Sequence, residues 1–223
     1  MSVSAPIRPV YEAYLRALRA GDRRGAFFII ADARAQGQGI ESLYLDVLQA
    51  ALYEVGRLWQ MNEMTVAQEH LATVITQGVM ARLYEDIFQG LATATDARPL
   101  LVAACAPRER HEIGLRMLCD LLELDGWDTV YLGASVPDEA LVAMIRDRQP
   151  DVLALSASTT PQIVDLETTI RQVRTQLAAP PFIIVGGRAF ADDPELPGRI
   201  GADGVAHDAR AAVRVLSSVA GRS

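Results

Sequence analysis

Residues 100–114 read LLVAACAPRERHEIG, and this stretch decides the fold class of the second half of the chain. Its first part, Leu100 to Ala104, is a continuous apolar run, which is typical of a parallel strand covered on both faces. Runs of the same kind recur with helix-length segments between them, and this alternation predicts an α/β fold with five strands. The other four runs are Thr129–Leu132, Val152–Leu155, Phe182–Val185 and Gly204–Ala206.

The second domain, residues 98–223, is therefore predicted to be a Rossmann-like, flavodoxin-type, doubly wound sheet of five parallel strands. Folds of this kind bind their ligands outside the carboxyl ends of the strands. Three segments follow predicted strands at that edge: residues 109–114 with the sequence ERHEIG, Ser156–Ser158, and Gly186–Gly187. We expect these three segments to line one site.

Residues 1–92 are predicted to form a four-helix bundle that caps the second domain. Apolar residues recur there at helical spacing, without strand-like alternation. Gly21-Asp22 and Gly37-Gln38-Gly39 mark two helix ends, and Thr65 is a suitable N-cap for the fourth helix. Short connections favour antiparallel neighbours in a bundle. A polar linker, Ala92 to Pro99, separates the two domains.

The composition limits the partners of the chain. Its formal net charge is -7, and a protein that neutralises phosphates needs a basic face, so we expect no direct binding of nucleic acid. No apolar run is long enough to span a membrane and no secretory signal pattern opens the sequence, so we expect a cytoplasmic protein. The two cysteines, Cys105 and Cys119, lie in apolar stretches and are predicted to be buried free thiols.

His111 is the candidate metal ligand at the predicted edge. An imidazole there can ligate a metal through one ring nitrogen, while Glu109, two residues earlier, can hold the other nitrogen. Three glycines would let a bulky planar ligand approach the backbone: Gly114, Gly186 and Gly187. Two alternatives stay open, a solvated loop histidine and a glycine pair that only forms a strand-to-helix turn.

These segments resemble the cobalamin-binding signature D-x-H-x-x-G, S-x-L and G-G. The spacing also matches, with 41 residues between Gly114 and Ser156 and 27 between Ser158 and Gly186. The resemblance implies that His111 displaces the dimethylbenzimidazole of cobalamin from cobalt. It also implies that the released nucleotide tail lies between strands, beside the serine and the glycine pair.

Two residues depart from the signature. Glu109 stands in place of Asp, and Ser158 stands in place of Leu. A carboxylate that is longer by one methylene still reaches the imidazole, although with a different ring tilt, so we expect ligation by His111 to survive.

A second motif lies in the helical half. Trp59 is followed, after nine residues, by Glu69-His70. This W-x9-E-H pattern is similar to that of the CarH family of light-sensing regulators, whose helical bundle covers the upper face of adenosylcobalamin and which commonly have Glu at the position of Glu109. The resemblance implies that the indole packs on the adenosyl group and that Glu69 and His70 hydrogen-bond ribose or adenine. Alternatively, Trp59 is an ordinary core residue, and the other two are solvated helix residues.

The resemblance covers essentially the whole chain but not the winged helix with which those regulators bind DNA. It therefore implies a stand-alone light sensor. Light breaks the cobalt–carbon bond of adenosylcobalamin, and a change of domain or homo-oligomer arrangement, dimer or tetramer, signals to an unidentified protein partner.

Two further features of the family bear on this sensor. The residue after the tryptophan is usually a histidine that captures cobalt after photolysis, whereas here it is Gln60, a poor ligand for cobalt(III). Some stand-alone relatives also hold a bilin chromophore, and such a second cofactor stays open here, although no cysteine or histidine identifies its site.

Other functions compete with the sensor. A corrinoid methyl carrier of a methyltransferase system needs the His111 motif but not the residues that cover adenosyl, and it would retain a methyl upper ligand. A cobalamin store would bind hydroxocobalamin as well as alkyl forms and would not respond to light. We do not expect an independent enzyme, because the sequence contains neither a G-x-S-x-G elbow nor a P-loop.

Overall fold

The first half of the chain is helical through most of the residues that the structure describes. The computed structural model describes residues 7–91 and 98–220, and it divides the chain into two compact units, Met1–Gln89 and Gly90–Ser223. Because a π-helical segment joins α3 directly to α4, residues 7–91 contain four helices, as predicted. Their bounds are α1 (Arg8–Ala20), α2 (Arg23–Ala35), α3 (Ile40–Ser42), the π-helical segment (Leu43–Gln49), α4 (Ala50–Gln60) and α5 (Val66–Leu91).

Short local signals place the helix boundaries of this unit. Gly21 ends α1 with a φ of +67°, a left-handed conformation that favours glycine. Asp22 then caps α2, because its side chain accepts a hydrogen bond from the Gly25 backbone N at 2.9 Å. Thr65 and Gln68 form a reciprocal capping box, in which Gln68 Oε1 accepts from Thr65 N at 2.8 Å and Thr65 Oγ1 from Gln68 N at 3.3 Å. The predicted N-cap at Thr65 is confirmed.

The π-helical segment belongs to the core of the first unit. Six of its seven residues are buried, so it packs on more sides than an amphipathic surface helix does. Two hydroxyl groups in this core are paired with each other. The hydroxyl of Tyr14 lies 3.0 Å from Thr76 Oγ1, which in turn donates to the Ala72 carbonyl at 2.9 Å.

Within residues 98–220 the second unit contains one sheet of five parallel strands. Their order is β2-β1-β3-β4-β5, which is the flavodoxin-like order, so the predicted fold is confirmed. The strands are β1 (Leu100–Cys105), β2 (Asp128–Gly133), β3 (Val152–Ser156), β4 (Phe182–Gly186) and β5 (Gly204–Ala206). The helices are α6 (Ile113–Leu124), α7 (Asp138–Arg148), α8 (Pro161–Gln176), a 3₁₀ turn (Arg188–Phe190), α9 (Leu196–Arg199) and α10 (Ala209–Ala220).

The strand order brings the predicted segments to one place. The order reverses at β1 and β3, and ligands of open α/β sheets bind at such a switch point. The His111 segment follows β1, and the Ser156–Ser158 segment begins at the end of β3. The described helices include none with the length and apolar composition that a membrane crossing needs.

Two residues that were expected in loops are the last residues of strands instead. Ser156 ends β3, and Gly186 ends β4. The reason is the register of the ladder, in which Ser156 pairs with Cys105 on one side and with Gly186 on the other, so the pairing continues one row beyond the apolar runs.

Candidate functional site

The loop between β1 and α6 presents an imidazole to solvent. The His111 side chain is 75% exposed, whereas the Glu109 side chain, two residues earlier, is 1% exposed. Arg108 precedes them with a φ of +66°, and its guanidinium bonds the carboxylate of Asp165 on α8 at 2.6 Å. The loop is thus attached to α8 while its histidine side chain extends outward.

Every oxygen of the buried Glu109 carboxylate is hydrogen-bonded. Oε1 accepts from the backbone N of Arg110 and of His111, each at 2.7 Å, and it lies 2.7 Å from His111 Nδ1. Oε2 accepts from the backbone N of Ser158 at 2.6 Å. Burial by itself raises the pKa of Glu109, but the hydrogen bonds from His111, Ser158 and Arg110 outweigh it and hold that pKa below its usual value. The carboxylate is therefore ionised at neutral pH, and its stabilising contribution is lost as the pH falls.

The Glu109 carboxylate determines which nitrogen of the imidazole is free. An ionised carboxylate only accepts hydrogen bonds, so Nδ1 of the neutral His111 ring carries the proton. Nε2 then keeps its lone pair on an exposed ring. This is the arrangement that an imidazole needs in order to ligate a metal, and ligation by His111 stays a prediction.

The segment after β3 contributes backbone atoms to this site. Ser158 donates its backbone N–H to Glu109 Oε2 at 2.6 Å, and its side chain also helps to hold the pKa of that carboxyl below its usual value. The same N–H is shared with Gln162 Oε1 at 3.0 Å, and Gln162 Oε1 also accepts from Thr159 N at 2.9 Å. The structure thus brings together the predicted residues Glu109, His111 and Ser158, and it adds Gln162.

The glycine pair lets two loops of the sheet edge approach each other. A Cβ on Gly186 would stand 2.8 Å from the carbonyl oxygen of Ala206, and one on Gly187 would overlap the carbonyl oxygen of Ala157. Gly187 also has a φ of +100°, where side chains are strained. The pair is therefore required by the backbone itself, and its contact with a ligand stays a prediction.

Substitution of Gly187 by alanine is expected to destabilise the protein without ligand by about 2–4 kcal/mol. The methyl group would need both a disfavoured backbone conformation and a shift of the Ala157 carbonyl. Urea denaturation followed by circular dichroism measures the free energy of unfolding.

Gly114→Ala is the matched control. Gly114 lies in the first turn of α6, is exposed, and has no atom within 4 Å of the position a Cβ would take. Alanine there should leave the stability unchanged or raise it by about 0.5–1 kcal/mol. Equal stability losses in the two variants would contradict the assignment of backbone crowding to Gly187.

The second motif lies at one end of the helical unit. Trp59 is the penultimate residue of α4, and Glu69 and His70 lie in the first turns of α5, after a connection of five residues, 61–65. The Trp59 side chain is 45% exposed, so its interpretation as a core residue is wrong. Glu69 Oε2 lies 2.8 Å from His70 Nδ1, and the His70 side chain is 72% exposed. An aromatic plane and a paired imidazole are thus available on the surface of this unit.

Sequence reasoning missed two residues of the sheet-edge site. Glu112 Oε2 accepts from the Ala134 backbone N at 3.2 Å, which links the His111 loop to the segment after β2. Gln162, which is 8% exposed, follows Pro161 at the start of α8. A proline at the first helical position followed by a glutamine was the available signal, since a side chain there can accept from free backbone N–H groups.

The remaining titratable groups nearby do not form a metal site. Among residues 7–91 and 98–220, no three His, Cys, Asp or Glu side chains are placed so that they could hold a metal ion. Cys105 and Cys119 are buried and free, as predicted. Burial, reinforced by the charges of Glu109 and Glu112, raises the pKa of Cys105 to about 12, so its thiol stays protonated.

Two family models match the chain. Both are described as B12 binding domains, one matching residues 99–217 and the other residues 10–84. The first falls in the sheet unit and the second in the helical unit. These matches support cobalamin as the ligand, whereas a bilin finds no support in them.

Among curated proteins, the chain is similar to two HTH-type transcriptional repressors of Myxococcus xanthus. It is 34% identical to CarH over 149 residues, which is 65% of this chain and 46% of CarH. It is 33% identical to CarA over 93 residues, which is 42% of this chain and 31% of CarA. The chain thus spans less than half the length of either relative. The predicted resemblance to CarH-type regulators is confirmed.

Among solved structures, the chain is similar to the monomethylamine corrinoid protein of Methanosarcina barkeri. The TM-score is 0.83 at 20% sequence identity, and the alignment covers 96% of this chain and 99% of that chain. At this identity the likeness concerns the fold, a helical unit followed by a Rossmann-like sheet.

Proposed function

The chain belongs to the family of B12-binding domains, and on that premise we propose that it is a light sensor that holds adenosylcobalamin, ligates its cobalt through His111 and catalyses no reaction of its own. The observation that carries the choice of a sensor is the exposed indole of Trp59, at the same end of the helical unit as the Glu69-His70 pair. The similarity to CarH supports the same choice.

The residues around His111 fit the lower face of cobalamin. A corrin ring already supplies four nitrogen ligands to its metal, so the protein needs to provide only one. His111 offers a free Nε2 on an exposed ring, and the buried Glu109 holds the other nitrogen. Gly114 leaves open space beside the start of α6, through which a planar ring can approach. Ser156, Gly186 and Gly187 would flank the nucleotide tail.

The exposed residues of the helical unit suit the upper face. When bound, adenosylcobalamin supplies a cobalt–carbon bond that light breaks. Trp59 would pack its indole on the adenosyl group, and Glu69 and His70 would hydrogen-bond its ribose or adenine. Illumination then deprives Trp59 of the surface on which it packs.

The output of the sensor is a change of arrangement. A ligand that contacts two parts of a protein favours one arrangement of them, and loss of the contact removes that preference. We propose that the domains or a homo-oligomer rearrange and that a protein partner detects the change. Gln60, next to Trp59, is exposed, and because a carboxamide ligates cobalt(III) poorly we expect no stable second bond from that position.

An absorption spectrum tests the bound cofactor, and the affinities for two cobalamins together with the arrangement of the protein before and after light test the sensor. The purified protein, loaded with adenosylcobalamin in the dark, should show the bands of a cobalt–carbon bond and lose them irreversibly within minutes of green light. A complex that binds adenosylcobalamin no more tightly than it binds methylcobalamin, and whose domains and oligomer do not respond to illumination, would contradict the sensor.

A corrinoid methyl carrier is the second candidate function. It is favoured by the fold that the chain shares with the monomethylamine corrinoid protein. The two candidates differ in the upper ligand that the protein retains on purification from a cobalamin-fed host. A carrier would retain methylcobalamin and exchange its methyl group with a partner methyltransferase, whereas the sensor would retain adenosylcobalamin.

A further inference from the structure

We propose that Gln162 is a positioning residue for His111, acting through the Ser158 backbone amide and the Glu109 carboxylate. This inference rests on the proposed function, in which His111 ligates the cobalt of cobalamin. Neither the sequence motif nor the family description assigns a role to Gln162.

The β3–α8 loop is held by the side chain of Gln162. Gln162 Oε1 accepts from the backbone N of Ser158 at 3.0 Å and of Thr159 at 2.9 Å. One side-chain oxygen therefore holds two consecutive amides of the loop. Gln162 is only 8% exposed, so water replaces this acceptor poorly when it is removed.

The same loop contacts the Glu109 carboxylate. The Ser158 N–H donates to Glu109 Oε2 at 2.6 Å, and Glu109 Oε1 lies 2.7 Å from His111 Nδ1. Glu109 is 1% exposed, and apart from Ser158 its bonds all come from residues of its own loop. Ser158 therefore holds the carboxylate from outside the His111 loop. The position of Ser158 in turn depends on Gln162.

The consequence is that the orientation of the imidazole is set from α8. Outer partners of a metal-ligating histidine orient its ring and affect the metal affinity. Removal of the Gln162 oxygen would leave the Glu109 carboxylate bonded to Ser158, but the β3–α8 loop that carries Ser158 would move more freely and the carboxylate would move with it. His111 would then spend less time in the orientation that binds cobalt.

Gln162→Met tests this role because methionine has a similar volume and cannot accept from two amides. Gln172→Met is the matched control, since Gln172 lies on the same helix and bonds Asp138 at 3.3 Å through Nε2, away from the His111 loop. Both variants are titrated with hydroxocobalamin. All variants are produced with nitrogen-15 histidine, and the bound cofactor is reduced to cob(II)alamin. The nitrogen-15 splitting in its electron paramagnetic resonance spectrum, called the nitrogen splitting below, reports the fraction with a protein imidazole on cobalt, because the dimethylbenzimidazole of the cofactor contains nitrogen-14.

We expect Gln162→Met to bind hydroxocobalamin about tenfold more weakly and to lose a matching part of the nitrogen splitting at saturation. The melting temperature of the ligand-free protein, measured in parallel, should stay above the temperature of the titration, so that the loss of affinity is measured on folded protein. If the methionine variant does not fold, Gln162→Ala removes the same oxygen without overpacking.

Wild-type affinity together with full nitrogen splitting in the Gln162 variant would overturn the inference. His111→Ala separates this failure from a failure of the proposed function. If His111→Ala loses the splitting while Gln162→Met keeps it, only the role of Gln162 is wrong. If His111→Ala keeps the splitting as well, ligation by His111 is wrong, and this inference fails with it.

Discussion

Replacement of His111 by alanine is expected to weaken cobalamin binding by about 100-fold, or roughly 2.7 kcal/mol. The variant removes the one protein nitrogen that faces outward from the β1–α6 loop with a free lone pair. The hydrogen bonds of Glu109 to the backbone N of Arg110, of residue 111 and of Ser158 do not need the ring, so the loop should keep its conformation. Titration of the ligand-free variant with hydroxocobalamin, followed by absorbance, measures the loss.

A spectroscopic measurement shows, independently of the affinity, whether the bond that His111→Ala loses is the one between histidine and cobalt. In the electron paramagnetic resonance spectrum of bound cob(II)alamin, protein labelled with nitrogen-15 histidine should show the splitting of a nitrogen-15 ligand in place of that of a nitrogen-14 ligand. His111→Ala should remove this nitrogen-15 splitting. His207→Ala is a suitable control, since His207 is another exposed histidine of the same unit. A His111→Ala protein with unaltered colour and affinity would be incompatible with ligation at this position.

Much of the sheet unit was predictable because its signals are local. Apolar runs predicted all five strands. The runs of β1, β3 and β4 are buried along most of their length, as expected for parallel strands covered on both faces, whereas the edge strands β2 and β5 are only partly buried. The pairing of Glu109 with His111 was also predictable, because two residues in one loop are close whatever the rest of the fold does. The capping box at Thr65 follows the same logic.

The contacts between loops were not predictable in the same way. Ser158 holds Glu109 by its backbone N–H, and no property of a serine side chain indicates that. The glycine pair was expected to make room for a ligand, but Gly187 first makes room for the Ala157 carbonyl. Such contacts depend on how two distant segments approach each other, which a pattern of residue types along one segment does not contain.

In the helical unit some features could be predicted from the sequence and others could not. Helical spacing predicted its four helices, but the π-helical segment, Leu43–Gln49, had no signal, because its buried residues do not follow the 3.6-residue period of an amphipathic helix. The spacing between Trp59 and the Glu69-His70 pair was visible in the sequence. That the indole is exposed was not, since a tryptophan at helical spacing is as compatible with a core position.

Replacement of Trp59 by alanine is expected to lower the affinity for adenosylcobalamin about tenfold and to leave the affinity for hydroxocobalamin unchanged. An indole that becomes buried against an apolar ligand contributes on the order of 1.5 kcal/mol, which corresponds to about tenfold in binding. Hydroxocobalamin lacks the adenosyl group, so it offers Trp59 nothing to cover. Isothermal titration of both cofactors, performed in the dark, measures the ratio of the two affinities.

Phe28→Ala distinguishes a covering role from a general effect of deleting an exposed aromatic side chain. Phe28 is 74% exposed on α2, and we assign it no contact with the cofactor. Both affinities should stay at the wild-type level in this variant. A Trp59→Ala protein that loses the same factor for both cofactors would indicate that the indole supports the helical unit and does not contact the adenosyl group.

Trp59→Ala should also alter the response to light, because the proposed signal begins with the contact that Trp59 makes. Wild-type protein loaded with adenosylcobalamin should change its hydrodynamic radius or its oligomeric state after green light, and it should then match protein loaded with hydroxocobalamin. Trp59→Ala should resemble the illuminated wild type already in the dark, since a population shift requires a ligand that favours one arrangement over the other. Size-exclusion chromatography with light scattering, before and after illumination, measures both states. A wild-type complex of identical size and domain separation in the dark and in the light would leave cobalamin binding intact but remove the sensor, because a chromophore whose loss changes no arrangement transmits no signal.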